Sequence, residues 1–202
     1  MAGLRSTRRV IKDATRERLL TVAESLLLET GYDDVSVRSI NTAAGMNPAA
    51  VHYHFGSKDG LVGALLEARL APHWADRLAT VSERRARGWT PTVAELVDVV
   101  VTPLLDLSAE SLGRLHLHLL ARLFLGRQQV EWSSRWFSLD PWIELLRAAR
   151  PDLSAGEAAR RWVLAFDLVL QTVGAPLATT LPKEKISGTT LRAFVTAGLD
   201  AA

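Results

Sequence analysis

Cysteine is absent from the 202-residue sequence, which excludes disulfide bonds, thiol nucleophiles and thiolate metal ligands. Long apolar runs are absent too. No stretch of about 18 uncharged apolar residues occurs, so the sequence predicts no membrane-spanning helix and no membrane partner. The residues that follow Met1 to Arg5 form no apolar run either, so we expect no secretory signal. A cytoplasmic protein fits these three absences.

The motifs of several enzyme classes are also missing. The sequence has no G-x-x-x-x-G-K-[ST] phosphate loop, no H-E-x-x-H zinc motif, no G-x-S-x-G turn and no dinucleotide-binding glycine pattern. His52 and His54 suggest a metal site at first, but residues two apart point to different sides of a helix. No acid or cysteine nearby completes a ligand set. We therefore expect no catalytic residues, no cofactor and no metal.

Alternation with a period of two is absent over any useful length. Apolar residues recur instead with the period of an α-helix, and Gly and Pro residues separate the segments. The first segment carries Leu19, Val22, Ala23 and Leu26 on one face. The sequence thus predicts an all-α protein. Its predicted helices cover residues 14–30, 36–44, about seven residues from 47, a segment after 57, and then 92–107, 109–126, a short segment after 140, 154–174 and 188–198.

The charge is small overall, +2 with neutral histidines, but it is unevenly distributed. Residues 5–18 hold six bases and two acids, residues 19–58 hold two bases and four acids, and residues 59–202 hold sixteen of each. The surplus therefore lies near the start of the chain, as expected if that segment meets phosphate groups. A solvated segment without a partner would carry the same charge, so both interpretations stay open.

Residues 36–55 predict two short helices that meet at Gly45, because glycine adopts the positive φ of a tight turn at little cost. Ser36 is a good cap for the first helix, and Asn47 and Pro48 suit the start of the second. The outer face of the second helix is then free to enter the major groove of DNA. The side chains that can point inward and fix the angle between the two helices are Ile40, Ala44, Met46 and Val51.

Residues 15–70 resemble the DNA-binding domain of the TetR family of regulators. The resemblance rests on the turn Ala44-Gly45-Met46, on the triplet Tyr53-His54-Phe55 that ends the second helix, and on Lys58 at the start of the next one. It implies a basic N-terminal arm over residues 1–14 and a three-helix, helix-turn-helix domain over residues 15–60. It also implies a larger C-terminal helical domain over residues 61–202 for effector binding and dimerisation.

The resemblance further implies how DNA is contacted. Arg38 would reach a phosphate or a base edge, and Lys58 would place positive charge at the DNA backbone. The short apolar side chains of the second helix would lie in the groove, where they suit a thymine methyl group. Most contacts of this kind position the protein, and few specify sequence. The predicted DNA-binding residues are Arg8, Arg9, Ser36, Arg38, Asn47, Pro48, Ala49, Ala50, His52, Tyr53, His54 and Lys58.

Two features depart from the usual pattern of the family. Asn41 stands where an alanine usually lets the two helices approach closely, and it can cap or bridge the backbone locally. Alanines also replace the usual hydrogen-bonding side chains in the groove, so base recognition is expected to depend on Arg38, His52, the arm and DNA shape. The rings of Tyr53 and Phe55 suit either DNA contact or the core, and the core is the simpler interpretation for Phe55.

The predicted helix over residues 109–126 is apolar around most of its circumference, so it is expected to be buried on most sides. Tryptophan and phenylalanine side chains follow it closely. The resemblance implies a small-molecule pocket in this part of the chain, lined by aromatic rings and a few polar groups. Core packing with one hydrogen-bonded histidine is the simpler alternative for any single residue. The candidate pocket residues are His116, Arg122, Trp132, Trp136 and Phe166.

The predicted helix over residues 154–174 has two apolar faces, one with Trp162, Phe166 and Val169 and another with Leu164 and Leu168. One face can serve the subunit core and the other a partner, and the resemblance implies a homodimer with a four-helix interface. A monomer with both faces internal is the alternative. The candidate interface residues are Leu164, Leu168, Gln171, Leu191, Phe194 and Val195.

The function that the resemblance implies is a ligand-responsive, sequence-specific DNA-binding regulator. Such a protein is most often a repressor that a small apolar or aromatic effector releases from a double-stranded operator. Two other classes stay open. A helical adaptor that binds protein fits the basic N-terminal segment less well, and an enzyme that uses the C-terminal cavity has no evident acid or nucleophile beside His116.

Overall fold

The computed structural model describes residues 2–174 and 187–202, with side chains from residue 10 onward. Every described element is helical, as predicted. Residues 1–65 form one compact unit (unit 1) and residues 66–202 form another (unit 2). The α-helices are α1 (Ala2–Thr30), α2 (Val37–Ala43), α3 (Ala50–Phe55), α4 (Lys58–Ala86), α5 (Val93–Ser108), α6 (Ser111–Leu125), α7 (Asp140–Ala149), α8 (Ala155–Val173) and α9 (Gly188–Asp200), with a short 3-10 helix over Arg135–Phe137.

Several helices begin where a side-chain oxygen accepts a backbone N–H group that the helix itself leaves without a partner. Ser36 caps α2 as predicted, since its Oγ accepts the N–H of Ser39 at 3.0 Å. Ser154 and Glu157 form only part of a capping box at the start of α8. Ser154 Oγ accepts the N–H of Glu157 at 3.1 Å, but the Glu157 carboxylate pairs with Arg160 and Arg161 instead of returning to the cap.

The first helix is longer than predicted. The prediction that it starts near residue 14 is wrong, because α1 begins at Ala2. The apolar periodicity on which the prediction rested starts only at Leu19. The preceding residues contain no proline, and they include arginine and lysine, which have good helix propensity, so the helix extends into the basic segment.

Unit 1 packs α1, α2, α3 and the first turns of α4 around a small apolar core. The turn between α2 and α3 is made by Gly45, whose φ of +66° confirms the predicted left-handed conformation. Three of the four side chains predicted to point inward, Ile40, Ala44 and Val51, are fully buried, whereas Met46 is half-buried. The other buried side chains of this core are Leu19, Leu20, Ala23, Leu27, Val35, Leu61, Val62 and Leu65.

Unit 2 is a helical bundle in which α8 packs against α6, α7 and α9, and α5 packs against α6 and α9. Of the two apolar faces predicted for α8, the one with Trp162 and Val169 faces the core, since these residues are each 1% exposed. Gly174, at the end of α8, allows close packing against α6, because a Cβ atom at this position would lie only 2.5 Å from the Cβ atom of Ala121. In the part of the chain that the structure describes, no helix combines the length and the apolar character needed to cross a membrane.

Candidate functional site

The helix α3 turns one face to the core and another to solvent. It is only six residues long, and Val51 points into the core while the side chain of Tyr53 is 76% exposed. Tyr53 is therefore not a core residue. Phe55 is half-buried, which only partly agrees with the core position expected for it. The remaining candidate residues at this surface, all exposed, are Ser36, Arg38, Asn47, Pro48, Ala49 and His52, and Ala50 is half-buried.

The start of α3 is held by side chains other than its own cap. Ala49 occupies the N-cap position and makes no side-chain hydrogen bond. Asn47, predicted as the cap, lies two residues before the N-cap position. Its Oδ1 accepts the N–H of Ala49 at 2.8 Å, and its carbonyl accepts the N–H of Ala50 at 2.9 Å. The helix is thus preceded by a tight turn that Asn47 stabilises.

Asn41 of α2 bridges to α3. The residue is 1% exposed. Its Nδ2 donates to the Pro48 carbonyl at 2.6 Å, and its Oδ1 accepts the N–H of Val51 at 3.2 Å. Of the two roles open to it from the sequence, bridging is the one observed. The side chain that stands in place of an alanine therefore connects the two helices.

Two arginines of α1 bind the carboxyl-terminal ends of the same two helices. Arg16 Nη1 donates to the His54 carbonyl at 2.6 Å, and its guanidinium lies 4.5 Å from the centre of the Phe55 ring. Arg18 Nε donates to the Ala44 carbonyl at 2.8 Å. Both belong to the basic segment of residues 5–18, which the charge distribution suggests as a phosphate contact. In the structure they satisfy carbonyl groups that α2 and α3 leave without helical partners.

Lys58 lies at the start of α4 and contacts the loop after α1. Its ammonium donates to the Tyr32 carbonyl and lies 3.9 Å from the centre of the Tyr32 ring. The Tyr32 hydroxyl in turn donates to the Asp59 carboxylate. The side chains of Arg8 and Arg9, which are also predicted DNA contacts, lie outside the described residues.

His54 is the titratable group of this surface with a perturbed proton affinity. Its Nδ1 is buried and has no hydrogen-bond partner among the described residues. Burial lowers the pKa of His54 below the ordinary 6.5, and the positive charges of Arg16 and Lys12 lower it further. The imidazole is therefore neutral at pH 7.

The lowered pKa of His54 predicts a specific titration. We expect the midpoint of His54, measured by NMR, to lie below 6.5. We expect it to rise towards that value in Lys12→Gln, which removes one repelling charge, while Arg77→Gln in unit 2 leaves it unchanged. Because the folded protein binds this proton more weakly than the unfolded chain, the stabilisation is complete above pH 6.5 and is lost as the pH falls below it. A midpoint at or above 6.5 would contradict the assignment.

Unit 2 contains a cavity of about 430 Å³. None of the described residues that line it is charged, and its polar groups come from Ser82, Ser134 and Ser138. Two candidate pocket residues, Trp136 and Phe166, line the cavity. Three do not: His116, Arg122 and Trp132. The aromatic residues of the lining are Trp74, Phe124, Trp136, Phe137, Trp142 and Phe166.

The candidate pocket residues that do not line the cavity lie elsewhere in unit 2. His116 is 4% exposed and belongs to the core of unit 2. Trp132 stacks on Phe137, with ring centres 4.9 Å apart, so it lies behind a lining residue and not in the lining. Sequence reasoning missed Trp74, Phe124, Phe137 and Trp142. For Phe137 and Trp142 the signal was available, since they follow Trp132 and Trp136 closely in the chain.

Indole N–H groups next to the cavity are satisfied by backbone carbonyls. Trp142 Nε1 donates to the Trp136 carbonyl at 3.0 Å, and Trp162 Nε1 donates to the Trp142 carbonyl at 2.8 Å. The rings of Trp162 and Phe166 stack with centres 5.2 Å apart. The N–H group of the lining residue Trp142 is therefore bonded within the protein, and its ring contributes an apolar surface to the wall.

Glu67 of α4 holds the loop that supplies part of this wall. Its carboxylate accepts the N–H of Ser133 at 3.1 Å, the Ser133 hydroxyl and the N–H of Ser134. The 3-10 helix that begins after Ser134 carries Trp136 and Phe137 into the lining. One carboxylate thus fixes the position of two aromatic rings. No local pattern in the sequence points to Glu67, because its partners are more than 60 residues away.

Removal of the Glu67 carboxylate should loosen this loop. In Glu67→Ala we expect amide hydrogen exchange over residues 132–139 to become about tenfold faster, since hydrogen bonds to a charged acceptor are each worth about 1.5 kcal/mol or more when intact. Glu83→Ala, which removes an exposed carboxylate of the same helix, should leave exchange in the loop unchanged. Equal exchange in both variants would show that Glu67 does not hold the loop.

The candidate interface residues divide into two groups. Leu164 and Phe194 are 69% and 70% exposed, Gln171 is exposed and Leu168 is half-buried. Leu191 and Val195 are only 2% and 3% exposed, so their assignment to an interface is wrong: they face the core of unit 2. Asp167, on the same helix as Leu164 and Leu168, forms an ion pair with Arg127, with Oδ2 and Nη2 3.0 Å apart.

Comparison with known proteins finds a family match in the N-terminal part of the chain. Residues 19–65 match the family model "Bacterial regulatory proteins, tetR family". The chain is 41% identical over 58 residues to the uncharacterized HTH-type transcriptional regulator YwcC of Bacillus subtilis, a match that covers 29% of this chain and 26% of YwcC. The matches to curated relatives span between 26% and 65% of the relatives' own length.

Two solved structures share the fold over most of the chain. One is NalD, the secondary repressor of the MexAB-OprM multidrug efflux pump in Pseudomonas aeruginosa, with a TM-score of 0.58, 24% identity, and coverage of 93% of this chain and 96% of NalD. The other is SmeT in complex with triclosan, with a TM-score of 0.57, 23% identity, and coverage of 91% and 90%. At this level of identity, the likeness establishes the fold.

Proposed function

Since the chain belongs to the TetR family of bacterial transcriptional regulators, we propose that it is a ligand-responsive, sequence-specific DNA-binding repressor without enzymatic activity. The observation that carries the proposal is the exposed face of α3, a six-residue helix that side chains of α1 and α2 hold at both ends. A helix presented in this way fits the major groove of B-DNA. The protein would act in the cytoplasm, where bacterial DNA lies.

In this proposal, unit 1 is the DNA-binding domain and includes the basic segment of residues 1–14. Pro48, Ala49 and Ala50 lie in the groove, and Tyr53 and His52 contact bases or backbone beside them. Arg38 supplies a cation on the exposed surface of α2. Lys58, whose ammonium donates to the Tyr32 carbonyl, places positive charge at the start of α4, where it would face the DNA backbone.

The DNA-binding proposal is tested by selection from a library of random duplexes. We expect the wild-type protein to enrich an inverted repeat with half-sites about one helical turn, or about 10 bp, apart. Arg38→Ala should then bind the selected duplex more weakly and lower the slope of log K against log salt by about one, because one phosphate contact is lost. Arg77→Ala, which removes an exposed arginine of unit 2, is the matched control. Enrichment of no sequence would refute the proposal.

The effector is proposed to be a small, uncharged, apolar or aromatic molecule that binds the cavity of unit 2. The lining supports this class, because it offers aromatic faces and serine hydroxyls and no described charge. The solved structure of SmeT, which shares the fold, is a complex with triclosan, an aromatic phenol. Trp136 and Phe166 remain the pocket residues of the proposal, while the structure supports neither His116, Arg122 nor Trp132 as a lining residue.

Triclosan is a suitable probe of the cavity. We expect it to bind the purified protein and to release the selected duplex. Phe166→Ala should weaken triclosan binding by about tenfold or more, since a buried aromatic contact is lost. The anion 4-hydroxybenzoate serves as the control, because an uncharged wall gives it no counter-charge. Undiminished binding of triclosan to Phe166→Ala would place the ligand elsewhere.

The proposal includes a homodimer. Leu164 of α8 and Phe194 of α9 are large apolar side chains that are exposed to solvent. A second copy of the chain would bury them, together with Leu168 and Gln171. A symmetric dimer presents two α3 helices to the two halves of an inverted repeat. An effector would then release DNA by binding more tightly to the dimer in which the two helices are wrongly spaced. NalD, of the same fold, is named as a repressor, which supports the same sign of regulation here.

A further inference from the structure

The cap that α3 lacks is supplied from another helix. The first N–H groups of any helix have no acceptor within it, and a serine, threonine or asparagine at the N-cap usually accepts one of them. Ala49 has no side-chain oxygen for this purpose. The N–H of Val51, at the second position of α3, is accepted instead by Asn41 Oδ1 at 3.2 Å.

The same amide group also holds the preceding turn. Asn41 Nδ2 donates to the Pro48 carbonyl at 2.6 Å, so one planar group is bonded to two backbone atoms that lie three residues apart, nearly one helical turn. One hydrogen bond would fix a distance between α2 and α3. Two bonds from a rigid amide also fix the rotation of α3 about its own axis.

Rotation of α3 decides where its outer face lies. Residues two positions from Val51 are about 200° away around the helix, which places Ala49 and Tyr53 opposite the buried side chain, and both are exposed. A rotation of about 10° moves atoms about 5 to 6 Å from the axis by about 1 Å. Hydrogen bonds and methyl contacts to base edges tolerate only a few tenths of an ångström.

We propose that Asn41 is a positioning residue for DNA sequence recognition, which sets the rotation of α3 without touching DNA. The inference rests on the proposed DNA-binding function. An alanine at position 41 would bring no polar side chain into the core, but it would leave the Val51 N–H and the Pro48 carbonyl without the hydrogen bonds that Asn41 supplies. The asparagine therefore brings a requirement for two hydrogen bonds into the core, and these bonds determine how Ala49 and Tyr53 face a groove. Asn41 thus offsets the absence of hydrogen-bonding side chains among residues 48–50 by fixing the surface they present.

The test compares Asn41→Ala with Ile40→Val. The second variant removes one buried methylene from the neighbouring position of the same helix and no hydrogen bond, so it reports the effect of lost stability alone. For each protein, the affinity for the duplex selected by the wild type is divided by the affinity for a shuffled duplex of the same composition. The salt slope and the thermal midpoint are recorded alongside. Asn41→Ser, whose hydroxyl is too short to span both backbone groups, replaces Asn41→Ala if that variant does not fold.

We expect the affinity ratio to fall about tenfold in Asn41→Ala, with the salt slope and the affinity for the shuffled duplex unchanged, and to stay at the wild-type value in Ile40→Val. A ratio that is unchanged in Asn41→Ala, or that falls equally in both variants, would overturn the positioning role. Failure of the wild type to select any sequence would instead remove the proposed function itself, so the two failures are distinguishable.

Discussion

A helix of six residues is not stable by itself in water, because its first turn fixes several residues for a single hydrogen bond and the helix is too short to recover that cost. The candidate DNA-binding surface therefore depends on neighbours that hold α3 in place. Val51 anchors it in the core, Asn41 binds its beginning, and Arg16 binds its end. The exposed face can consist of small and aromatic side chains that contribute little to stability, since the stabilising contacts lie on the other side and at the two ends.

The helical architecture could be predicted from the sequence because it depends on local signals. Apolar periodicity, capping residues such as Ser36, and the glycine at position 45 each act within a few residues of the element they define. Contacts that join distant segments could not be predicted in the same way. Glu67 has its partners in a loop more than 60 residues away, and the difference between Leu164 and Leu191 on two amphipathic helices depends on which face meets the bundle.

Apolar patterning alone also cannot separate a cavity wall from a solid core. Trp162 and Trp136 belong to the same aromatic cluster, yet Trp162 is 1% exposed and Trp136 lines the cavity. The backbone carbonyls of Trp136 and Trp142 accept the indole N–H groups of Trp142 and Trp162, and three serines contribute hydroxyl groups to the lining. A ligand in this cavity would be selected chiefly by shape and by the flatness of its rings.

The contacts of Arg16 and Arg18 have a consequence for the electric field at the surface of unit 1. The carboxyl end of a helix carries a partial negative charge, and both α2 and α3 end close to the surface that would face nucleic acid. Each of these ends is covered by a guanidinium. A phosphate that approaches would therefore meet the exposed N–H groups and cations of the domain without the opposing repulsion of two uncompensated carbonyl clusters.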